Sequence, residues 1–123
     1  MPTKLRLKRI ADRIKQELSE MLVTNQISDP RLDFIFITDV SVDRELSFAN
    51  IFVSAIEGAE ESAAILDGLE HASGYLRSQL ASRIELRTFP KLRFFWDPTP
   101  ERAERIERLI DEISSNQKQD HAG

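Results

Sequence analysis

The stretch that decides the fold runs from residue 60 to residue 83 and reads EESAAILDGLEHASGYLRSQLASR. Apolar residues recur in it every three or four positions, the spacing of one face of an amphipathic helix. That face carries Ile65, Leu69, Ala72, Leu76 and Leu80. Gly74 interrupts the stripe, and a glycine inside a helix costs about 1 kcal/mol relative to alanine. The glycine therefore predicts a kink, after which a second helix begins with unpaired backbone N–H groups.

The charge of the chain changes sign at this predicted kink. The acidic residues before it are Glu57, Glu60, Glu61, Asp67 and Glu70, and the basic residues after it are Arg77, Arg83 and Arg87. Because a helix N-terminus attracts anions, a basic second helix predicts a phosphate backbone as its partner. The alternative interpretation is a glycine that lets helices pack closely, surrounded by solvated arginines.

Length and composition indicate one globular domain. The chain has 123 residues, of which 41% are hydrophobic and 31% charged, and it has no cysteine. No run of about 18 apolar residues is present, and the start of the chain lacks the apolar core of a signal peptide. We therefore expect a cytoplasmic protein without disulfides, Cys-based zinc sites or membrane contact, with a single domain over residues 1–114 and a short flexible polar tail over residues 115–123.

The net charge is −4, but it is unevenly distributed. Residues 1–15 hold six basic side chains and one acidic one, and residues 72–96 hold five basic side chains and one acidic one. Two basic blocks can present one face to a polyanion while the acidic surface faces elsewhere. We therefore expect both blocks on the same side of the molecule, away from Glu57, Glu60, Glu61 and Asp67.

The remaining elements follow from periodicity and turn residues. Residues 4–24 have a helical apolar stripe flanked by Arg6, Arg9 and Arg13 on one side. Residues 34–42 and 47–55 are predicted strands of an antiparallel hairpin, and residues 91–97 are a third strand. Thr99 and Pro100 predict the cap and first turn of a last helix that ends near Ser114. The order helix, strand, strand, kinked helix pair, strand, helix predicts an α+β fold with one three-stranded sheet covered on one face.

Evidence for catalysis is weak in this sequence. The two histidines have no partner at metal-ligand spacing, and no phosphate-binding or nucleophile motif is present. The remaining candidates are the carboxylates Asp29, Asp33, Asp39 and Asp43, which would have to hold a divalent metal for phosphoryl transfer. Turn and capping roles account for Asp29 and Asp43. Most strand phenylalanines are predicted to be core residues, and Phe95 is the one most expected to point away from the core.

The order and spacing of several motifs resemble the ribosome-binding factor A family over about residues 5–113. The similar segments are residues 9–19, Asp29-Pro30-Arg31-Leu32, Ile37-Thr38-Asp39-Val40, residues 49–54, Ala72-Ser73-Gly74-Tyr75-Leu76-Arg77, Leu86-Arg87 before Pro90, and Leu92-Arg93-Phe94 with Asp97, Thr99 and Arg105-Ile106. The resemblance implies a KH-like domain of the type II order, in which an Ala-x-Gly kink replaces the usual Gly-x-x-Gly loop. The long charged C-terminal tail of some members is nearly absent here.

The resemblance also implies a function without catalysis or cofactor. Members bind the free small (30S) ribosomal subunit and its rRNA during late maturation, near the 5′-terminal helix. They support processing of the 16S rRNA and matter most in the cold. We expect a monomer with no small-molecule substrate. The alternative hypothesis is a small regulatory or protein-interaction α+β domain that binds no RNA.

The expected RNA contacts combine the basic residues with the predicted kink. They are Arg6, Lys8, Arg9, Arg13, Arg31, Ser73, Gly74, Arg77, Arg83 and Arg87. Arginine side chains would bind phosphates through charge-assisted hydrogen bonds, and backbone N–H groups at the kink would add directional contacts.

Overall fold

Three helices and a three-stranded sheet make up the fold. In this computed structural model, the backbone is described for residues 3–24 and 26–122, and the side chains for residues 3–24 and 26–116. The helices are α1 (Lys4–Val23), α2 (Ser62–Arg83) and α3 (Thr99–Ala122). The strands are β1 (Ile35–Val42), β2 (Phe48–Ala55) and β3 (Lys91–Trp96), and a short 3₁₀ turn covers Pro30–Leu32. The predicted α+β class and the order of the strands are confirmed.

The sheet has β2 at its centre. β1 pairs with β2 in the antiparallel sense, as the predicted hairpin requires, and its register shifts between Ile37 and Asp39. β3 pairs with the other edge of β2 in the parallel sense, so the chain crosses over through α2 between these strands. The third strand could be predicted from its residues, whereas its direction depends on this crossover.

One face of the sheet carries the core. α1 packs on β1 and α2 packs on β3. Ile14, Leu18 and Met21 of α1 are fully buried in one core with Ile51 and Val53 of the central strand. Leu69, Leu76 and Leu80 of α2 are also buried, which confirms the apolar stripe predicted for residues 60–83. The helical spacing of the sequence thus fixes which side of each helix meets the sheet.

α2 is one helix of 22 residues and not the predicted helix pair. It is continuous through Ser73 and Gly74, so no second N-terminus with unpaired N–H groups forms there. The destabilisation by glycine, about 1 kcal/mol, is small compared with the burial of several leucines along the same helix. A continuous helix keeps all of them on the sheet.

α3 is longer and more exposed than the sequence predicts. It continues past Ser114 to Ala122, and the predicted tail over residues 115–123 lies partly outside the residues whose side chains are described. Its apolar side chains Ile106, Leu109, Ile110 and Ile113 are all more than half exposed. Thr99 is the first residue of the helix and not its cap, and its N–H donates to Asp97 Oδ1 at 2.9 Å. The carbonyl oxygen of Pro98 accepts the Arg102 N–H at 3.1 Å, the first backbone bond of this helix.

Candidate nucleic-acid interface

The first turns of α1 expose basic side chains that have no partner in the described part of the chain. Arg6, Lys8 and Arg9 are exposed, and no ion pair or side-chain hydrogen bond joins them to another described residue. The helix has no acidic residue in its first turn, and only the Thr3 side chain caps it, accepting the Arg6 N–H at 3.1 Å. Positive charge near a helix N-terminus opposes the helix dipole, so this arrangement is locally unfavourable in the isolated chain. A bound anion would remove that penalty.

The two basic blocks meet where α1 passes the end of α2. Arg13 Nη2 donates to the carbonyl oxygen of Arg83 at 3.1 Å, and Arg83 Nη1 donates to Glu17 Oε2 at 3.2 Å. Arg83 Nη2 also donates to Gln26 Oε1 at 3.1 Å. The two blocks are therefore adjacent at this contact, and the single basic face expected from the sequence stays a prediction. Glu17 lies within it and neutralises part of the charge of both arginines.

Arg77 is held by the backbone that leads into β3. Its Nη2 donates to the Phe89 carbonyl oxygen at 2.6 Å, and its Nε donates to the Pro90 carbonyl oxygen at 3.2 Å. These bonds anchor the connection between α2 and β3. Further along the chain, Arg87 is exposed in the same connection and has no side-chain partner among the described residues. Arg87 is therefore more available for a ligand than Arg77.

Arg31 lies in a separate cluster. Its Nη2 donates to Asp29 Oδ2 at 2.8 Å, and its Nη1 donates to Asp67 Oδ2 at 3.0 Å. The hydrogen bonds from Arg31 lower the pKa of the Asp29 carboxyl below its usual value, and the bonds to Asp29 raise the pKa of Arg31. Asp67 and Arg83 lie 16 positions apart on α2, about 24 Å along its axis. The structure therefore does not bring Arg31 to the contact between Arg13 and Arg83.

Gly68 is a packing residue that sequence reasoning missed. A Cβ at this buried position would lie 3.2 Å from Arg31 Nε, Asp29 Oδ2 and Leu32 Cδ2. The 3₁₀ turn therefore packs directly on the backbone of α2. The sequence contains one signal for this contact, a second glycine in the same helix six residues before Gly74. Periodicity alone does not show which neighbouring segment packs on that glycine.

Gly74 has the opposite surroundings. It is exposed, and a Cβ there would meet nothing within 4 Å, so the interpretation as a helix-packing glycine is wrong. The Ser73 hydroxyl donates to the Glu70 carbonyl oxygen of its own helix at 2.7 Å. At Ser73 and Gly74 the backbone of α2 is therefore not covered by large side chains, so a ligand can approach it closely.

Charge separates along the length of α2. Glu60 and Glu61 immediately precede its first turn, and Arg83 ends it, which places the two signs about 33 Å apart. A cavity of about 420 Å³ at the acidic end is lined by Asp33, Glu57, Glu60 and Glu61 among others. This order of charges also suits the helix dipole, so it stabilises α2 whatever the protein binds. The basic start of α1 has no such structural benefit, which makes it the stronger indication of a polyanion.

Comparisons with known proteins agree with the resemblance noted from the motifs. A family model described as ribosome-binding factor A matches residues 6–110. A ribosome-binding factor A of Nitrosomonas europaea is 43% identical over 104 residues, which are 85% of this chain and 88% of that protein. The chain belongs to the ribosome-binding factor A family. Its members are ribosome-binding factors and not enzymes, in agreement with the expected lack of catalysis.

Solved structures of the family share the fold. The crystal structure of ribosome-binding factor A from Thermus thermophilus matches with a TM-score of 0.64 and 26% identity, covering 72% of this chain and 93% of that one. A model of the Thermus thermophilus factor, fitted into a cryo-EM map of a 30S complex, matches with a TM-score of 0.56 and 30% identity, over 68% of this chain and 87% of that one. The fold is therefore KH-like, with an uninterrupted helix where a helix pair was expected.

The structure gives no support to a metal-dependent enzyme. The described residues contain no group of three or more His, Asp or Glu side chains placed to hold a metal ion. Asp29 is bound to Arg31, and Asp43 Oδ1 accepts the Phe48 N–H at 2.9 Å. Of the helices described, none is both long and apolar enough to cross a membrane.

Proposed function

We propose that this protein assists late maturation of the small ribosomal subunit by binding the free 30S particle through its rRNA. The observation that carries the proposal is the basic start of α1, where exposed cations near a helix N-terminus have no described partner in the chain. Family membership and a relative fitted into a 30S map support the same partner. The protein would act as a cytoplasmic monomer without cofactor or small-molecule substrate.

The binding face would have two kinds of contact. Arg6, Lys8, Arg9 and Arg87 would neutralise phosphates directly, since their side chains are exposed and uncommitted among the described residues. Arg13 and Arg83 would add charge while remaining tied to Glu17. The exposed backbone at Ser73 and Gly74 would allow a strand of RNA to pass closely over α2. Arg31 and Arg77 would shape the domain through their internal bonds.

The proposed consequence is a preference for immature particles. Binding near the 5′-terminal helix of the rRNA would hold that region in one arrangement and support 16S rRNA processing, above all in the cold. Completion of the site would remove the surface that the protein recognises, so the protein would bind mature particles more weakly. Such a difference in affinity is required, because a ligand can shift an equilibrium only through its differential affinity for the two states.

The test is a charge reversal confined to α1. The variant Arg6→Glu/Arg9→Glu should lose co-sedimentation with free 30S subunits while its helix becomes slightly more stable, because negative charge near an N-terminus favours the helix dipole. Arg102→Glu/Arg105→Glu on α3 makes the same change in net charge and should retain binding. Equal losses in both variants, or full binding by the first, would remove α1 from the interface.

The alternative of a protein-interaction domain makes a different prediction for the same assay. Binding through phosphates weakens steeply as salt rises from about 50 to about 200 mM, whereas an apolar protein contact does not. Co-sedimentation that persists unchanged over that range would favour the protein-interaction domain.

A further inference from the structure

The face of the sheet opposite α1 and α2 carries an ordered set of aromatic and basic side chains. In the register of the sheet, Phe52 lies opposite Phe95, and Asn50 lies opposite Arg93. Directly opposed residues on neighbouring strands point to the same side, so these four belong to one face. We call Phe48, Asn50, Phe52, Arg93 and Phe95 the aromatic face. Neither α1 nor α2 packs on it, because their buried partners lie on the alternate positions of each strand.

The rings of this face are held in defined positions. Phe52 and Phe95 stack with their centroids 5.4 Å apart and an angle of 27° between the rings. Phe95 is nevertheless 42% exposed, so the pair does not shield its own surface. A cross-strand aromatic pair stabilises a sheet by only about 0.2–1 kcal/mol. Sheet stability alone therefore gives little reason to expose this much aromatic surface.

Arg93 adds a planar cation to the same face. Its guanidinium carbon lies 3.9 Å from the centroid of the Phe48 ring, and its Nε donates to Asn50 Oδ1 at 3.0 Å. These two contacts fix the plane of the guanidinium group and leave its two Nη groups without a partner among the described residues. Lys91, which is exposed and pairs with Phe48 in the register, adds a second positive charge.

We propose that the aromatic face binds unpaired RNA bases by stacking, as a second contact separate from the phosphate-binding surface of α1. Bases stack on phenylalanine rings and on arginine planes whatever their sequence, and backbone phosphates pair with the neighbouring cations. Phe95 and Arg93 are two residues apart on β3, about 7 Å, which gives successive stacking positions along the strand. Asp39 lies opposite Phe52 on β1, so this edge of the face carries a carboxylate, whereas β3 carries the cations Lys91 and Arg93.

The proposal extends the proposed function without depending on it. The α1 surface would bind phosphates, which both paired and unpaired RNA carry. The aromatic face would distinguish the two, because a base in a helix has no free surface for a ring. Together they would favour a particle in which a segment of rRNA is still single-stranded.

The first experiment separates stacking from charge in the full chain. Fluorescence anisotropy at low salt would compare a labelled oligoadenylate of about ten nucleotides with an abasic ribose-phosphate strand of the same length. We expect the oligoadenylate to bind roughly ten times more tightly, the effect of stacking about one base. Equal affinity for the two strands would overturn the proposal, since charge alone would then account for binding.

The second experiment uses variants of the aromatic face. Phe95→Leu should lower oligoadenylate affinity about 5- to 100-fold without changing the salt dependence of binding. Phe95→Tyr keeps an aromatic ring at this position and should bind oligoadenylate as tightly as the unmodified chain. The matched control is Phe34→Leu, which removes a ring that is 66% exposed in the loop before β1. Circular dichroism would verify that each variant is folded, and Arg93→Gln gives a second test at a position whose side chain is exposed.

The outcomes distinguish this proposal from the proposed function. If Arg6→Glu/Arg9→Glu abolishes 30S binding and Phe95→Leu leaves oligoadenylate binding intact, the aromatic face is not an RNA site. If Phe95→Leu weakens 30S binding but not oligoadenylate binding, the face contacts a protein, and the proposal is also wrong. Loss of oligoadenylate binding in Phe95→Leu supports it whether or not the α1 variant binds subunits.

Discussion

At the scale of single residues, the two glycines of α2 serve different purposes. Gly74→Ala fills open space on an exposed helix, so it should raise the free energy of unfolding by about 0.5–1 kcal/mol. If RNA passes close to this backbone, the same variant should bind 30S subunits several-fold more weakly. Thermal unfolding and co-sedimentation measure the two effects, and a stabilised variant with full binding would mean that the glycine is only tolerated.

Gly68→Ala should have the opposite effect on stability. Its Cβ would press on the Arg31 and Asp29 side chains and on Leu32 at 3.2 Å. We expect a net loss of about 1–2 kcal/mol, because crowding in a packed site exceeds the gain in helix propensity. Urea unfolding would measure the loss. A variant as stable as the unmodified chain would show that the turn can move away from α2 without penalty.

Asp97 links the sheet to α3 through its ionised carboxylate. Its Oδ2 accepts the Thr38 hydroxyl at 2.6 Å, and this bond, with those from Thr99, lowers the Asp97 pKa below its ordinary value of 3.8. At a pH between the pKa of Asp97 in the folded chain and its pKa in the unfolded chain, the unfolded chain binds more protons than the folded chain. The stabilisation is therefore complete above about pH 4 and is lost as the pH falls through the folded pKa.

The corresponding prediction is a shallower acid transition in Asp97→Asn. The unmodified chain should lose unfolding free energy more steeply than the variant between about pH 5 and pH 2, as followed by chemical denaturation at each pH. Asp29 titrates in both proteins, because Arg31 lowers its pKa equally in each. Parallel pH profiles would show that Asp97 contributes nothing to acid sensitivity.

At the scale of the elements, periodicity predicted which segments form helices and strands. It did not predict where each helix ends or which residues its side chains contact. The stripe from Ile65 to Leu80 was enough to identify α2, and the hairpin followed from two β-rich segments with a short connection. The second helix expected after Gly74 was wrong, because the low helix propensity of glycine is a smaller effect than the burial of a whole helix face. The partners of Arg13, Arg31 and Arg77 are backbone carbonyls and carboxylates, most of them from distant segments, which no local pattern reveals.

α3 offers a test of how much an element contributes to the core. Its described side chains are almost all exposed, and the Trp96 Nε1 bond to Glu101 Oε1 at 3.1 Å is its main side-chain link to the sheet. Ending the chain after Pro100 should therefore change the free energy of unfolding by less than about 1 kcal/mol, the net value of one hydrogen bond, and remove mainly helical ellipticity. A cooperative loss of the whole fold would show that α3 packs on the domain in solution.

At the scale of the whole molecule, the separation of charge explains how a chain of net charge −4 can bind RNA. Affinity for 30S subunits should fall linearly on a log–log plot against salt, by about 0.7–0.9 per phosphate neutralised. Arg6→Glu/Arg9→Glu should reduce that slope, whereas Phe95→Leu should leave it unchanged. A slope near zero in the unmodified chain would contradict the single basic face, although the family assignment would stand.

The parallel pairing of β2 and β3 also has a consequence for folding of the protein. The hairpin of β1 and β2 joins neighbouring segments, but β2 keeps an open edge until β3 follows the 35-residue crossover of residues 56–90. Joining β2 to β3 requires the closure of that long connection, so it comes late. Until that closure the folding chain exposes one unpaired edge of its central strand, the kind of edge on which neighbouring chains associate.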